Sequence, residues 1–387
     1  MTARFAYAGP SAELERRELL GEPVARAHAR ALSGRTGPAD WTITLGDELL
    51  FDAAGLDALA SAVTRYDGPA TELALALAPG PALRRDYYSL QALENGAVPL
   101  LVSAKRAGGD GSRAALAVPL EVDARHVPLP DSMGGPEQVE VPRALLVAHR
   151  TPHDLLFANQ IALVSALAAR VKASPRAWLA GALAWRRLPL PERIALAYRD
   201  VHPGADVHPT AVVEGSVIGA GARIGAHAVV RFSMIGAGAR VHDGAKVELS
   251  VVGAGAWLMH DLVLYRSVVE AQVFLIHGPY QFSCFHRASA MFATILMDYR
   301  ADGRPIRVAT PDGARDYGGR FLGAVVGEDA RVLGGCLLAP GRVVPRSAWL
   351  TPDPAQVHTL SGGALPAATP LPPDRTRRKS DDRTHDA

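Results

Sequence analysis

Two histidines in the second half of the chain, His260 and His277, occupy the same place in successive copies of a sequence repeat, two positions after Leu258 and Leu275. A neutral imidazole can remove a proton from an attacking amine or hydroxyl near neutral pH. Asp243 holds the same place one repeat earlier, where a carboxylate could orient such a ring or contact a substrate. We therefore predict His260 and His277 as catalytic bases and Asp243 as a substrate contact.

Further candidate side chains lie closer to the C-terminus. His286 falls one repeat after Val269, so we predict that it either points inward or marks a break in the pattern. The stretch 298–320 is polar, with several glycines, two prolines and many arginines, which predicts a loop or hairpin. Arg304 and Arg307 within it could clamp a phosphate or a carboxylate. We count both arginines and His286 as candidate substrate contacts.

The elements that must position these residues follow a 17-residue period. Its units are six, six and five residues long, and the six-residue units include IGAGAR, VHDGAK and VGAGAW, with an aliphatic anchor first. A short strand cannot bury its one anchor alone, so successive coils must stack. Three strands per coil and a spacing of about 4.8 Å between coils would place His260 and His277 on one face. One set of anchors comprises Ile218, Ile235, Val252 and Val269.

This pattern resembles that of the hexapeptide-repeat transferases, which include bifunctional sugar-nucleotide pyrophosphorylases, lipid A acyltransferases, serine acetyltransferases and γ-class carbonic anhydrases. The resemblance implies a left-handed parallel β-helix over residues 201–350. It also implies acyl transfer from acetyl-CoA or another acyl-CoA to a sugar or a nucleotide sugar. A homotrimer, with the basic histidine in a cleft between prisms, is the assembly that the resemblance suggests.

Residues 1–150 alternate short apolar runs with helix-like stretches, which predicts an α/β domain with crossover helices. The segments ELLGEP at 18–23 and TLGD at 44–47 resemble parts of the sugar-nucleotide nucleotidyltransferases, in which the Gly-Asp pair holds a metal. The glycine-rich phosphate loop of that family is missing, since YAGPSA at 7–12 supplies one glycine followed by proline. We predict a reduced nucleotidyltransferase-like domain without Mg²⁺, in which Gly46 and Asp47 simply end a strand.

Residues 151–200 are predicted to be a helical linker. One of its apolar runs contains Trp178, Leu179 and Leu183 and ends at Arg186 and Arg187. Such a helix usually packs on a neighbouring domain, and a membrane surface is the alternative contact. Residues 351–387 are rich in proline and then in alternating charges, which predicts a disordered tail.

Composition narrows the class of protein. The chain has 387 residues, enough for two or three domains, and its 41 Lys and Arg nearly balance 39 Asp and Glu, so no nucleic-acid partner is predicted. The two cysteines, Cys284 and Cys336, suggest buried thiols and a reducing compartment. No uninterrupted apolar stretch is long enough to cross a bilayer and no signal peptide is evident, so we predict no membrane span and a cytoplasmic location.

Three functions remain open at this point. The first is the acyltransferase, and the second is a non-catalytic scaffold or regulatory β-helix protein that kept the fold without the chemistry. The third is a metal site like that of the γ-class carbonic anhydrases, with ligands such as His260, His277 and His286. Side chains stacked on one face are parallel, whereas a metal needs converging ligands, so we predict no metal site within one chain.

Overall fold

The structure is a computed structural model. It describes residues 1–35, 37–78, 86–88, 90–91, 98–127, 137–184 and 188–352, with only the backbone described for 124–127 and 137–140. The predicted disordered tail lies outside the described residues, apart from its first two positions. Met1–Thr351 form one compact unit.

The N-terminal part is an α/β region that ends at Ala148. Its elements are β1 (Ala3–Ala6), β2 (Glu18–Leu19), β3 (Glu22–Pro23), α1 (Val24–Leu32), β4 (Trp41–Leu45), β5 (Leu49–Phe51), α2 (Ala53–Thr64), β6 (Glu72–Leu77), β7 (Val98–Arg106), β8 (Arg113–Val118), β9 (Val122–Val127), β10 (Glu137–Pro142) and β11 (Leu146–Ala148).

The main N-terminal sheet has the strand order β1-β4-β7-β6-β8. Strands β1 and β4 are parallel and α1 lies between them in the chain, as crossover connections require. Strand β7 runs antiparallel to both β4 and β6, so the sheet is mixed rather than wholly parallel. The α/β prediction is confirmed, and the crossover arrangement holds for the first strand pair only.

Three helices follow, α3 (Asp154–Lys172), α4 (Pro175–Leu183) and α5 (Leu190–Ala197). Helix α3 passes a length and hydropathy test for a membrane span, but 61% of its apolar window is buried within the protein. Its C-terminal half packs on the solenoid through Leu163 and Leu167, as a linker helix is expected to do. A buried central helix passes the same test, so the match is weak evidence for a span.

The solenoid, called the prism below, runs from Arg199 to Leu350 and has three faces. Face 1 contains β12 (Arg199–Val201), β15 (Ser216–Ile218), β18 (Met234–Ile235), β21 (Val251–Val252), β24 (Val268–Val269), β27 (Cys284–Phe285), β32 (Val325–Val326) and β35 (Val343–Val344). Face 2 contains β13 (Asp206–Val207), β16 (Arg223–Ile224), β19 (Arg240–Val241), β22 (Trp257–Leu258), β25 (Phe274–Ile276), β28 (Ala290–Phe292), β33 (Arg331–Val332) and β36 (Trp349–Leu350). Face 3 contains β14 (Val212–Glu214), β17 (Val229–Arg231), β20 (Lys246–Glu248), β23 (Val263–Tyr265) and β26 (Tyr280–Gln281), and the pair β29 (Ile295–Leu296) and β34 (Leu337–Leu338) follows it.

Every pairing between coils is parallel, and the register confirms the predicted β-helix. Ile218 pairs with Ile235, Ile235 with Val252, and Val252 with Val269, so these anchors lie directly above one another. The three anchors Ile235, Val252 and Val269 are at most 2% exposed and form the prism core. The fold is therefore an α/β region, a helical connector and a left-handed parallel β-helix.

One coil is a residue shorter than the coils before it, and it changes the position of His286. Val269 pairs with Phe285, which comes one position earlier than the period of the other coils requires. The missing residue falls in the turn that contains Gly278 and Pro279, between β25 and β26. Phe285 therefore occupies the anchor position and His286 follows it, so His286 marks the break in the pattern and is not itself an anchor.

A ladder of buried serines runs along the corner between faces 3 and 1. The side chain of Ser250 donates to the carbonyl of Glu248 at 2.8 Å and accepts the backbone N–H of Ser267 at 3.1 Å. The same arrangement recurs one coil earlier and one coil later, at Ser233 and Ser267. Each hydroxyl thus satisfies backbone groups of two coils, which a buried corner needs because water is absent there.

The outer side of face 1 is covered by the rest of the chain. Val251 belongs to one buried cluster with Leu163 of α3, and Val268 and Val325 belong to the N-terminal core. The outer side chains of faces 2 and 3 are largely exposed or half-buried. Most of the prism surface that a soluble substrate can reach is therefore on faces 2 and 3 and the corner between them, while face 1 is exposed at its ends, at Val201 and Val343.

Candidate functional site

Five of the thirteen histidines lie on one corner of the prism, between faces 2 and 3. These residues, named the histidine corner here, are His208, His227, His242, His260 and His277. His242 is half-buried and the other four are exposed. They lie on this corner because the turns after β13, β16, β19, β22 and β25 stack on one another, as the strands do.

The ring contact in this column joins His242 to His260, with centroids 4.8 Å apart and the planes at 67°. His277 begins the shortened turn and has a φ of +57°, whereas in the preceding coil it is Asp261 that adopts this left-handed conformation. Burial and the charge of His260 lower the pKa of His242. Its Nε2 is buried and has no hydrogen-bond partner among the described residues. His242 therefore stays neutral at neutral pH beside an exposed second imidazole.

The side chain of Asp243 forms a hydrogen bond with the backbone of this corner. Its Oδ1 accepts the N–H of Ala226 in the preceding coil at 2.8 Å. Its charge also favours the protonated form of the neighbouring His242, although burial of that ring outweighs the effect. Asp243 is exposed, and it combines a structural hydrogen bond with an electrostatic interaction with His242.

A strip of aromatic side chains borders the corner on face 2. The guanidinium of Arg240 lies 4.2 Å from the ring centroid of Trp257. Trp257 in turn meets the edge of Phe274, and Phe274 meets Phe292, at centroid distances of 6.3 and 5.8 Å. His242 is 6.1 Å from Trp257, so the strip and the histidine pair are continuous. A cation and an apolar surface thus lie beside a possible base, a combination that the sequence reasoning missed.

His286 lies elsewhere, in a buried cluster between the N-terminal region and the prism that we call the seam. Its Nδ1 is 3.4 Å from Oε2 of Glu270, a side chain with no exposed surface. Nη1 of Arg17 lies 3.3 Å from the same oxygen, and Nη2 of Arg17 is 2.7 Å from Glu13. The sulfur of Cys284 is 3.9 Å from His286 Nδ1. His286 is only 5% exposed, so it is closed off from a substrate of any size.

Reciprocal hydrogen bonds join the two sides of the seam. Glu270 accepts the backbone N–H of Glu18 at 3.1 Å, and Glu18 accepts that of Ala271 at the same distance. Arg287 donates to Glu18 at 2.7 Å. A Cβ on Gly253 would come within 2.7 Å of the Glu18 carboxylate, so glycine is needed there. The segment 18–23, which resembled a nucleotidyltransferase element, here docks the N-terminal region onto the prism.

The repeat carries a signal for the seam in the position that follows each anchor of face 1. Gly219, Gly236 and Gly253 each follow an anchor of face 1 directly, and the next two coils place Glu270 and His286 at this position. A repeat that exchanges glycine for charged side chains in adjacent coils indicates a special contact. Nothing in the local sequence identifies Arg17 and Glu18 as the partners.

Burial governs the protonation of the seam. It lowers the pKa of His149 and of His153 to about 4. Burial alone would raise the pKa of the Glu270 carboxyl, but the charges of His286 and Arg17 hold it below its usual range. Burial also raises the pKa of the Cys284 thiol well above its usual range, so the thiol is a poor nucleophile. The seam is therefore an electrostatic contact between two regions.

The predicted hairpin is present, as β30 (Ile306–Thr310) and β31 (Gly313–Tyr317). Ile306 and Tyr317 are buried in the N-terminal core, where Tyr317 stacks on Phe157 at 5.8 Å. Arg304 and Arg307 are exposed, and Arg307 pairs with Asp316 across the hairpin at 3.4 Å. No described contact joins either arginine to the histidine corner, so the predicted site residues fall into three separate groups.

Two further expectations concern metals. Asp47 is exposed in the turn after β4, and its carbonyl accepts the N–H of Ser11 at 2.9 Å. Gly46 and Asp47 thus end the strand, as predicted. Within the part of the chain that the structure describes, no three His, Cys, Asp or Glu side chains are grouped so as to hold a metal ion.

No protein-family model matches the sequence, and no curated protein matches it. Among solved structures, a hexapeptide transferase family protein from Anaplasma phagocytophilum is 18% identical, covers 39% of this chain and 72% of its own, and has a TM-score of 0.25. A GDP-perosamine N-acetyl transferase from Caulobacter crescentus, in complex with CoA and GDP-perosamine, is 18% identical over 41% of this chain and 56% of its own, with a TM-score of 0.20. The UDP-N-acetylglucosamine acyltransferase of Francisella novicida is 12% identical over 38% of this chain and 65% of its own, with a TM-score of 0.16. These proteins are similar to only about two fifths of the chain.

Proposed function

We propose that this protein is an acyltransferase that moves an acyl group from an acyl-CoA to a sugar or nucleotide sugar at the histidine corner. The observation that carries the proposal is the contact between His242 and the exposed His260 on a corner that the rest of the chain leaves open. Arg240 and Trp257 beside them offer a cation for a phosphate and an apolar surface for a ring. The protein would act in the cytoplasm as a homotrimer.

In the proposed reaction, His260 is the general base. Its neutral imidazole accepts a proton from the amine or hydroxyl of the acceptor, which attacks the thioester carbonyl carbon. The carbon–sulfur bond then breaks, and the leaving CoA thiolate takes the proton from the imidazolium. His242, which burial keeps neutral, is a positioning residue that holds the His260 ring. His277 remains a proposed second base, and Asp243, Arg304 and Arg307 remain proposed substrate contacts; they rank below His260 because no described contact links them to it.

The test is release of free CoA thiol from acetyl-CoA by the purified chain, with a panel of amino sugars, sugar phosphates and nucleotide sugars. We expect His260→Asn to lose about 100-fold or more in kcat, the usual contribution of a general base. The matched control is His227→Asn, an exposed histidine on the same corner, where asparagine tolerates the left-handed φ of +58°. Absence of turnover with the whole panel, or equal losses in both variants, would contradict the proposal.

A non-catalytic scaffold or regulatory role is the second candidate, and one observation favours it. The segment 18–23 makes structural contacts within the protein. Glu18 accepts the N–H of Ala271 at the seam, and the N–H of Leu20 donates to Asn159 of helix α3 at 2.7 Å. A binding measurement separates the two functions, since a ligand that binds only the folded state raises the melting temperature. Stabilisation by CoA or by nucleotide sugars at millimolar concentration supports the enzyme. Absence of a shift with both supports the scaffold.

A further inference from the structure

Helix α4 turns a strongly apolar side outward. Trp178, Leu179 and Leu183 are 50%, 64% and 76% exposed, although each is a residue that folded proteins normally cover. The opposite side is small and closely packed, and a Cβ on Gly181 would come within 2.6 Å of Ile194 in α5. The prediction that this helix packs on its neighbour thus holds for one side only. The outward side is held in place by the rigid contact behind it.

The apolar surface continues beyond the helix. Leu188 and Leu190, at the start of α5, are both exposed as well. Five large apolar side chains thus lie exposed between positions 178 and 190, which is far denser than the scattered exposed leucines of an ordinary surface. A patch of this kind on a well-packed helical hairpin indicates a contact surface.

Positive charge surrounds the patch. Among the described residues of 170–200, five are basic and two, Glu192 and Asp200, are acidic, whereas the whole chain is nearly balanced. Asp200 pairs with Arg170. Lys172, Arg176 and Arg199 are exposed, and no ion pair of theirs is found among the described residues. The undescribed positions 185–187 add two arginines in sequence, but the inference does not depend on them.

We propose that the exposed side of α4, with Leu188 and Leu190, docks on a lipid surface that carries anionic headgroups. Tryptophan and leucine enter the boundary between headgroups and acyl chains, while lysine and arginine bind the phosphates. A second copy of the chain is a poor occupant, because two basic surfaces would repel each other. The protein would lie on the membrane without spanning it, which is consistent with the absence of a span predicted from sequence.

The test is flotation of the full-length chain with vesicles of pure phosphatidylcholine and of phosphatidylcholine with about 30% phosphatidylserine. We expect binding to the anionic vesicles alone, and weaker binding as salt screens the charges. Leu179→Ser should reduce the bound fraction about fivefold or more, since both signals are needed for stable docking. Leu337→Ser is the matched control, because Leu337 is 63% exposed at the far end of the prism.

Two charge-reversal variants test whether basic side chains contribute to vesicle binding. Arg176→Glu should weaken vesicle binding, while Arg26→Glu, on an exposed position of α1, should not. No binding to anionic vesicles at low salt would overturn the proposal, as would equal losses in Leu179→Ser and Leu337→Ser. Self-association that Leu179→Ser abolishes, measured by sedimentation, would assign the surface to a second copy and also overturn it.

Discussion

The seam and the histidine corner both bring imidazoles and carboxylates together along an edge of the same prism. At the seam, Glu270 has no exposed surface and Arg17 is 4% exposed, and the contacts of Glu270 with Arg17 and with the N–H of Glu18 join two regions of the chain. At the corner, Asp243 and His260 are exposed, and their contacts stay within neighbouring coils. The comparison shows that the same types of side chain take different roles on one solenoid. Where another region of the chain buries them they stabilise the fold, and where they are exposed they can bind a substrate.

The largest expected effect is at the seam. Glu270→Gln removes a charge that faces buried Arg17 and His286, and breaking a buried pair costs about 3 kcal/mol of unfolding free energy. The matched control is Glu248→Gln on face 3, where the pair with Arg231 is partly exposed and should cost less than about 1 kcal/mol. Urea unfolding of both variants measures the difference. Equal losses would show that the seam is not the electrostatic contact described above.

The seam should also make stability depend on acidity. His149 and His153 have pKa values of about 4 in the fold, and those of unfolded histidines are about 6.5. Between these two pKa values the histidines bind protons in the unfolded chain but not in the folded protein. The two histidines therefore lower the free energy of unfolding as pH drops from about 6.5 to about 4. Asp154, whose pKa burial raises to about 6, acts in the opposite direction, and so do Glu18, Asp52 and Asp298, whose pKa values burial also raises. His28, whose pKa burial lowers to about 4, acts in the same direction as the two seam histidines.

Each histidine contributes at most about 1.4 kcal/mol per pH unit in that window. His153→Phe should make the slope shallower, because neither ring nitrogen of His153 has a described partner to lose. Unfolding by urea at several pH values gives the profile. An unchanged slope in the variant would refute the assignment of His153 as a buried neutral histidine.

The smallest expected effect is at the corner. Asp243→Ala removes one exposed hydrogen bond to Ala226 and should cost about 0.5–1 kcal/mol of unfolding free energy. The same variant lowers the pKa of His242 further, because the carboxylate favours its protonated form. Urea unfolding and titration of the His242 ring by NMR measure the two effects. A loss as large as that of Glu270→Gln would make the corner a structural element like the seam.

Much of the prism could be predicted because its buried anchor residues recur at a regular spacing in the sequence. Ile235, Val252 and their partners are spaced by the geometry of the coil, so counting residues is enough to stack them. The same counting failed at His286, since one residue missing from a turn moves every later side chain by one position. A deletion inside a turn leaves no mark on the pattern until the anchors on both sides are aligned.

The seam and the N-terminal sheet could not be predicted in the same way. Arg17 and Glu270 are 253 residues apart in the chain, and no local rule pairs them. Strand β7 spans nine residues, and only its first five, VPLLV, read as an apolar run. Its antiparallel direction beside β4 depends on tertiary packing, which strand propensity does not encode. At the corner, the histidine spacing was visible, but the shortened turn decided that His242 rather than His277 contacts His260.

The cover on face 1 limits how copies of this chain could assemble. A closed ring needs two different complementary surfaces on each copy, one for the neighbour on either side. With helix α3 and the N-terminal core lying across face 1, the prism retains two long sides for that purpose. Any threefold ring built from prism contacts would therefore draw them from faces 2 and 3, so that the edge where those faces meet would lie beside a neighbouring copy.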